Sequence, residues 1–294
     1  MDQKILIIIA TAAGLLLGYL TQIIFDHLPE SWLQDYDYDE KSPDFRLSKR
    51  MTLVPHGVIS MIFCSIMYLA SVVFAFQYAG NSEWIRYVII LVMAPVLVII
   101  MMSDRLNRII PDQATYAIAF LGILAIVADA LYGNIWFSEN VAWYIPVLNR
   151  VIAAIAGGGL LWLIGFLTVT FTGKEGMGQG DMKLLAAAGL LTGCYGLIVT
   201  FYVAIFSALI VAIPLYIRKR QRIAKEKEYI KNSPDPVKAR RELRARKAKI
   251  HFADDPDYLA FGPFLAFGAG VFIVMEPFFY EHMIEMIKRF GVYF

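Results

Sequence analysis

Two aspartates at the edges of apolar runs are the residues of this chain best placed to do chemistry. Asp104 lies in Ser103-Asp104-Arg105-Leu106-Asn107-Arg108-Ile109-Ile110-Pro111-Asp112, and Asp181 in Gly178-Gln179-Gly180-Asp181-Met182-Lys183. A carboxylate at membrane depth is costly to keep, which makes each a candidate for function. Two carboxyl groups sharing one proton can act together: the ionised one takes a proton from water while the protonated one polarises a carbonyl. Each signal alone has an ordinary reading. Asp104, between Arg105 and Arg108, reads as an interfacial loop residue, and Gly178 and Gly180 read as a turn. The combination is more specific, because Lys183 follows Asp181 and Asp112, preceded by Pro111, follows Asp104.

The elements that must position these residues are membrane spans. The chain has 294 residues, 59% of them hydrophobic and only 18% charged, which excludes an ordinary soluble domain. Apolar runs predict an all-α, polytopic membrane helix bundle of about eight segments, each needing roughly twenty residues to cross the bilayer. The segments fall near 4–25, 54–77, 84–102, 113–132, 150–172, 181–193, 195–217 and 260–286. The sixth begins at Asp181 and is too short to cross alone, so it is expected inside the bundle or beside a wet cavity.

Lysine and arginine concentrate in loops 26–53, 103–112, 173–181 and 218–259, which the positive-inside rule assigns to the cytoplasm. The small turns at Gly80-Asn81, Gly133-Asn134 and Gly193 then face outside, as do both termini. Asp104 and Asp181 consequently share the inner face. Arg86 and Arg150 break the rule and are expected to snorkel to outer headgroups. Trp136, Phe137, Trp143 and Tyr144 read as an aromatic belt there. The whole chain, 1–294, is expected to be one membrane-embedded unit with two cytoplasmic insertions, 26–53 and 218–259.

Half of the 27 basic residues lie between Arg218 and Lys249, where Asn232-Ser233-Pro234-Asp235-Pro236 suggests a turn between two short cytoplasmic helices. A solvated positive-inside loop is the ordinary reading and contact with anionic membrane lipids the functional one. No nucleic acid is expected as a partner, because the stretch lacks interleaved aromatics and a recognisable module. Cys64 and Cys194 sit in apolar runs without a CxxC partner and cannot build a zinc site or a disulfide framework. Lys4 followed by apolar residues and Ala10-Thr11-Ala12-Ala13 imitates a secretory signal, but the run continues to Phe25 and is expected to remain as a span.

These motifs resemble the prepilin peptidase family, GxGD-type intramembrane aspartic proteases. Gly178 to Ala187 is similar to the family's second catalytic motif, and Asp104 to Thr115 to its first. Phe261-Gly262-Pro263-Phe264-Leu265-Ala266-Phe267-Gly268-Ala269 is similar to the opening of its last span. Gly14-Leu15-Leu16-Leu17-Gly18 followed by His27-Leu28-Pro29 is similar to its first span and exit. The resemblance implies Asp104 and Asp181 as the catalytic pair, with Gly178, Gly180, Lys183 and Asp112 in supporting or substrate-binding roles. Thr115 and Tyr116 are outer candidates whose ordinary role is packing. Most bacterial members of that family carry paired CxxC motifs of a zinc-binding region in the first cytoplasmic loop, linked to N-methylation of the product. Residues 26–53 contain no cysteine, so neither zinc nor another cofactor is expected, and methylation is not.

The implied reaction is hydrolysis of a prepilin-like protein substrate, cut after a short basic leader at the cytoplasmic face of the bacterial inner membrane. Asp35 to Glu40 and Asp254-Asp255-Pro256-Asp257 face the same side and could attract that leader, ordinary solubility being the alternative. A proton- or cation-coupled transporter using the same aspartates is the rival from another class. Its ion site would be expected near the midplane, between two matching halves, and neither feature is visible in the sequence.

Overall fold

The computed structural model describes residues 3–35, 38–41, 45–78, 84–132, 142, 144–173, 177–248 and 259–289. The turns at Gly80-Asn81 and Gly133-Asn134, the aromatics Trp136, Phe137 and Trp143, and the acidic stretch 254–257 lie outside them. Ten α-helices carry the described chain. They are α1 (Gln3–Asp26), α2 (Glu30–Leu33), α3 (Val58–Tyr78), α4 (Trp84–Asn107), α5 (Asp112–Tyr132), α6 (Tyr144–Thr172), α7 (Gln179–Asn232), α8 (Pro236–Ala248), α9 (Gly262–Val274) and α10 (Glu276–Arg289). A π-helical turn, Leu53–Gly57, leads into α3.

Six helices are long and apolar enough to cross a membrane, or seven if the bent pair α9–α10 counts as one span. The surface agrees with that composition. Phe171, Ile210 and Ile155 are among the most exposed side chains, as expected where lipid rather than water is the solvent. Ser60 and Ser65 of α3 donate to the carbonyls of Gly18 and Thr11 across the α1–α3 contact. Such small-residue contacts let helix backbones approach in lipid, where apolar burial alone drives nothing.

The eighth segment of the sequence reading comes from a reversal inside α7. Gly193 holds φ 73° and ψ 179°, a left-handed conformation that glycine adopts without a Cβ clash. Before it, Gly189 lies against the Ala153 carbonyl and Gly157 against that of Leu185, so the arm 179–192 runs antiparallel to α6. After it, Gly196 meets Phe272 and Thr200 meets Gly268, so the second arm runs antiparallel to α9. α9 is in turn antiparallel to α4, since Asp104 faces Gly262, Leu97 faces Gly270 and Arg86 pairs with Glu276. The two arms of α7 therefore point in opposite directions. One end of the bundle gathers the end of α4 and the starts of α5, α7 and α9; this is the site end.

Three expectations change. The last segment, 260–286, is not one straight span, because α9 and α10 meet at 74°. The break falls at Met275 (φ −103°, ψ 14°), two residues before Pro277, which has no N–H to continue the hydrogen-bond ladder of α9. The first of the two short cytoplasmic helices does not exist separately: residues 218–232 continue α7, and only Pro236–Ala248 forms a helix of its own, tied back by Lys247 to Glu226 at 2.6 Å. Arg150 does not snorkel, being buried at 4% exposure and paired with Asp129, and Arg86 pairs with Glu276.

Candidate active site

Asp104 stands in the last turn of α4, and the helix ends just beyond it because Arg108 takes φ 63°. For a residue with a Cβ that conformation costs roughly 1–2 kcal/mol. Asp181 is the third residue of α7, whose extended entry at Gly178 (φ −69°, ψ 140°) turns the chain into the helix. The helix therefore starts at Gln179, two residues earlier than the sequence suggests. Both carboxyls are pressed into the bundle. Asp104 Oδ2 and Asp181 Oδ1 are buried without a hydrogen-bond partner among the described residues. The two groups are electrostatic neighbours.

Small residues make this proximity possible. A methyl group at Gly262 would come 2.7 Å from Asp104 Oδ2 and 2.8 Å from Ile110 Cδ1, so a larger residue there would push the carboxyl or Ile110 aside. The Gly262 backbone N–H faces the Asp104 carboxylate. A methyl at Gly178 would meet Asp181 Oδ2 at 3.3 Å, and one at Gly180 would meet Ile110 Cβ at 3.1 Å. Ile110 thus packs between the start of α7 and the start of α9, closing the apolar side of the carboxylate pair.

The other expected residues fall into place unequally. Lys183 donates to both oxygens of Asp112 at 3.0 Å, so its charge ties α7 to the start of α5 beside the pair. Thr115 is buried and bonds the Pro111 carbonyl at 3.4 Å, while Tyr116 is 64% exposed and turns away. Among the described residues no group of three histidine, cysteine or acidic side chains is arranged to hold a metal ion.

Asn107 is the residue that sequence reasoning missed. Its side chain accepts the Lys49 N–H at 2.8 Å and donates to the Lys49 carbonyl at 3.1 Å, pinning extended residues 46–52 against the end of α4, one turn from Asp104. That strap is anchored again at Glu30, which accepts from Ser48 N–H at 2.5 Å, Gln34 at 2.8 Å and Arg50 at 2.6 Å. A buried asparagine three positions after a candidate aspartate was its only trace in the sequence.

A membrane-spanning helical bundle with a buried and a half-buried aspartate as electrostatic neighbours at one end defines a narrow class of protein. Within it, residues 89–213, which run from α4 into the second arm of α7, match the model of the type IV leader peptidase family. Curated relatives bear the name prepilin leader peptidase/N-methyltransferase. The one from Neisseria gonorrhoeae is 29% identical over 134 residues, 46% of this chain and 42% of the relative. That from Xanthomonas campestris is 31% identical over 40% of this chain and 37% of the relative. That from Dichelobacter nodosus is 32% identical over 50% and 46%. The chain thus spans less than half the length of the curated relatives it matches. No solved structure matches it.

Proposed function

We propose that this chain is an aspartic endopeptidase that removes the leader peptide of prepilin-like precursors at the cytoplasmic face of the inner membrane, without methylating the new N-terminus. One observation carries the reading: two carboxyls, from the end of α4 and the start of α7, are electrostatic neighbours, and each has one buried oxygen that no described protein group satisfies. Structural carboxylates in apolar surroundings are hydrogen-bonded or ion-paired, because leaving them unsatisfied costs several kcal/mol. Carboxyls that keep an unsatisfied oxygen beside each other suit groups that bind water and substrate.

Two carboxyls so close in a restricted dielectric share one proton, and their titration belongs to the pair. The ionised member takes a proton from water as the water oxygen attacks the scissile carbonyl carbon. The protonated member donates to the carbonyl oxygen, giving a tetrahedral gem-diol. Collapse returns a proton to the leaving amine and breaks the C–N bond, with no acyl-enzyme. Gly178, Gly180 and Gly262 leave room for an extended substrate backbone beside the pair. The family match and the relatives' names support the substrate class, and the cations of the site-end loops support a cytoplasmic orientation. The lack of cysteine in 26–53 supports hydrolysis without methylation.

The test is co-expression with a panel of prepilin-like precursors, with the new N-terminus read by mass spectrometry. The wild type is expected to cleave and leave an unmodified amine, and Asp104→Asn and Asp181→Asn to leave the precursor intact. Cleavage by either variant, or ion flux in proteoliposomes without any cleavage, would overturn the assignment.

A further inference from the structure

The bundle carries a second set of buried ionic groups, at the end away from Asp104 and Asp181. Asp129 of α5 is 3% exposed, Arg150 of α6 4% and Glu276 at the start of α10 7%. Arg150 Nε and Nη2 both reach Asp129 Oδ2 at 2.7 Å. Arg86 of α4 reaches Glu276 Oε2 at 2.7 Å, and its other terminal nitrogen lies 3.8 Å from Asp129 Oδ1. Two arginines and two carboxylates leave the set electrically neutral.

This cluster also satisfies the backbone groups that the reversal at Gly193 releases. A broken helix frees carbonyls before the break and amides after it. Arg150 Nη1 donates to the carbonyls of Leu190 and Leu191. Its neighbour Asn149 accepts the Cys194 N–H at 3.2 Å. Any side chain at Gly193 would run into Asn149 at 2.6 Å. Asn149 and Arg150 therefore fix where the first arm of α7 ends.

Three elements held at or next to this cluster, α4, the first arm of α7 and α9, carry parts of the candidate active site at their opposite ends. α4 runs from Arg86 to Asp104, about 27 Å at helical rise; the first arm of α7 runs from Leu191 back to Asp181, about 15 Å; α9 runs from Val274, just before the bend that leads to Glu276, back to Gly262, about 18 Å. Helices transmit axial displacement because their backbone hydrogen bonds resist stretching. We infer that the Arg86–Asp129–Arg150–Glu276 cluster is a positioning device: it sets the axial register of α4, α7 and α9, and through it the separation of the Asp104 and Asp181 carboxyls. Arg86 and Glu276 are positioning residues, far from any reacting atom.

The kinetic part of the test rests on the peptidase reading, so a spectroscopic part is kept independent of it. Spin labels at Arg105→Cys and Gln179→Cys, in a Cys64→Ala and Cys194→Ser background, report the distance between the site ends of α4 and α7. Arg86→Gln is expected to shift or broaden that distance distribution, and the swap Arg86→Glu with Glu276→Arg to restore it. In the unlabelled enzyme Arg86→Gln is expected to lower kcat by about 10- to 100-fold, the scale of an ångström-level misplacement, with KM little changed, and the swap to recover most of it. An unchanged distance distribution in folded Arg86→Gln would overturn the inference even if no substrate is found. A wild type that cleaves nothing while the distances respond as expected would overturn the peptidase reading and leave the positioning device standing.

Discussion

The bundle holds buried carboxylates at both ends, and they are treated in opposite ways. At the far end Asp129 and Glu276 are matched by Arg150 and Arg86 at 2.7 Å. At the site end Asp104 and Asp181 face each other, and one oxygen of each has no hydrogen-bond partner among the described residues. Lys183, the cation nearest in sequence to Asp181, is engaged with Asp112 instead. Residue type does not separate the two pairs, and Asp104 is as buried as Asp129 and Glu276, although Asp181 is only half-buried. Counter-charge separates them: Asp129 also leaves one oxygen, Oδ1, without a hydrogen-bond partner, but its other oxygen is held by Arg150, and on that difference rests the proposal of a structural far end and a reactive site end.

Neutralising substitutions should break that contrast most sharply. Asp129→Asn leaves Arg150 buried beside an uncharged partner, and breaking a buried pair in this way costs about 3–5 kcal/mol. Its unfolding midpoint in detergent should fall accordingly. Asp104→Asn and Asp181→Asn remove acids that lack full pairing, so their midpoints should stay at or above that of the wild type while cleavage disappears. A site-end variant as unstable as Asp129→Asn would collapse the distinction.

Next in size is a steric probe. Gly262→Ala forces a methyl group to within 2.7 Å of Asp104 Oδ2 and 2.8 Å of Ile110. The displaced carboxyl should cost about 100-fold in kcat, since misplacement by about an ångström has effects of that order. Gly159→Ala in α6 is the control. Nothing lies within 4 Å of its added carbon, and activity should be unaffected.

The site end was legible in sequence because its signals are local. Gly178, Gly180 and Asp181 sit within four positions, and Pro111-Asp112 accompanies Asp104, so motif and chemistry coincide. The arm 179–192 was legible too, since a run that starts at an aspartate and stops at a glycine is too short to cross. The far end was not, because an arginine at the end of a span looks the same whether it reaches headgroups or a carboxylate two helices away. Asp129 lies in an apolar run, and its partner, Arg150, follows 21 positions later in the next one. The bend before α10 could have been read from Glu276-Pro277, but continuous apolarity from Phe261 to Tyr280 masked it.

A smaller effect concerns the strap that reaches the site end from the first loop. Asn107→Ala removes both hydrogen bonds to Lys49, which should cost about 1–3 kcal/mol if the freed groups stay buried. Residues 46–52 should then be cut faster by protease. The dyad itself should remain, so a fall in cleavage that appears in KM rather than kcat would mark the strap as part of the substrate's approach.

The smallest expected effect is a pH dependence confined to that strap. Burial alone would raise the Glu30 pKa, but hydrogen bonds from Ser48 and Gln34 and the charge of Arg50 outweigh it, and the carboxyl titrates below the ordinary glutamate range. A folded pKa below the unfolded one means that the clasp's contribution is whole above the unfolded value of about 4.3 and is lost as pH falls through the folded value. Because Glu30 and Arg50 are partly solvated, that contribution is about 1 kcal/mol after screening. Hydrogen exchange at the Ser48 amide should therefore lose roughly fivefold in protection across that acid range. In Glu30→Gln the low protection should be present already at neutral pH and should not change on acidification. Full protection in that variant would mean that Asn107 holds the strap alone, and that the pairing at the site end extends no further than α4.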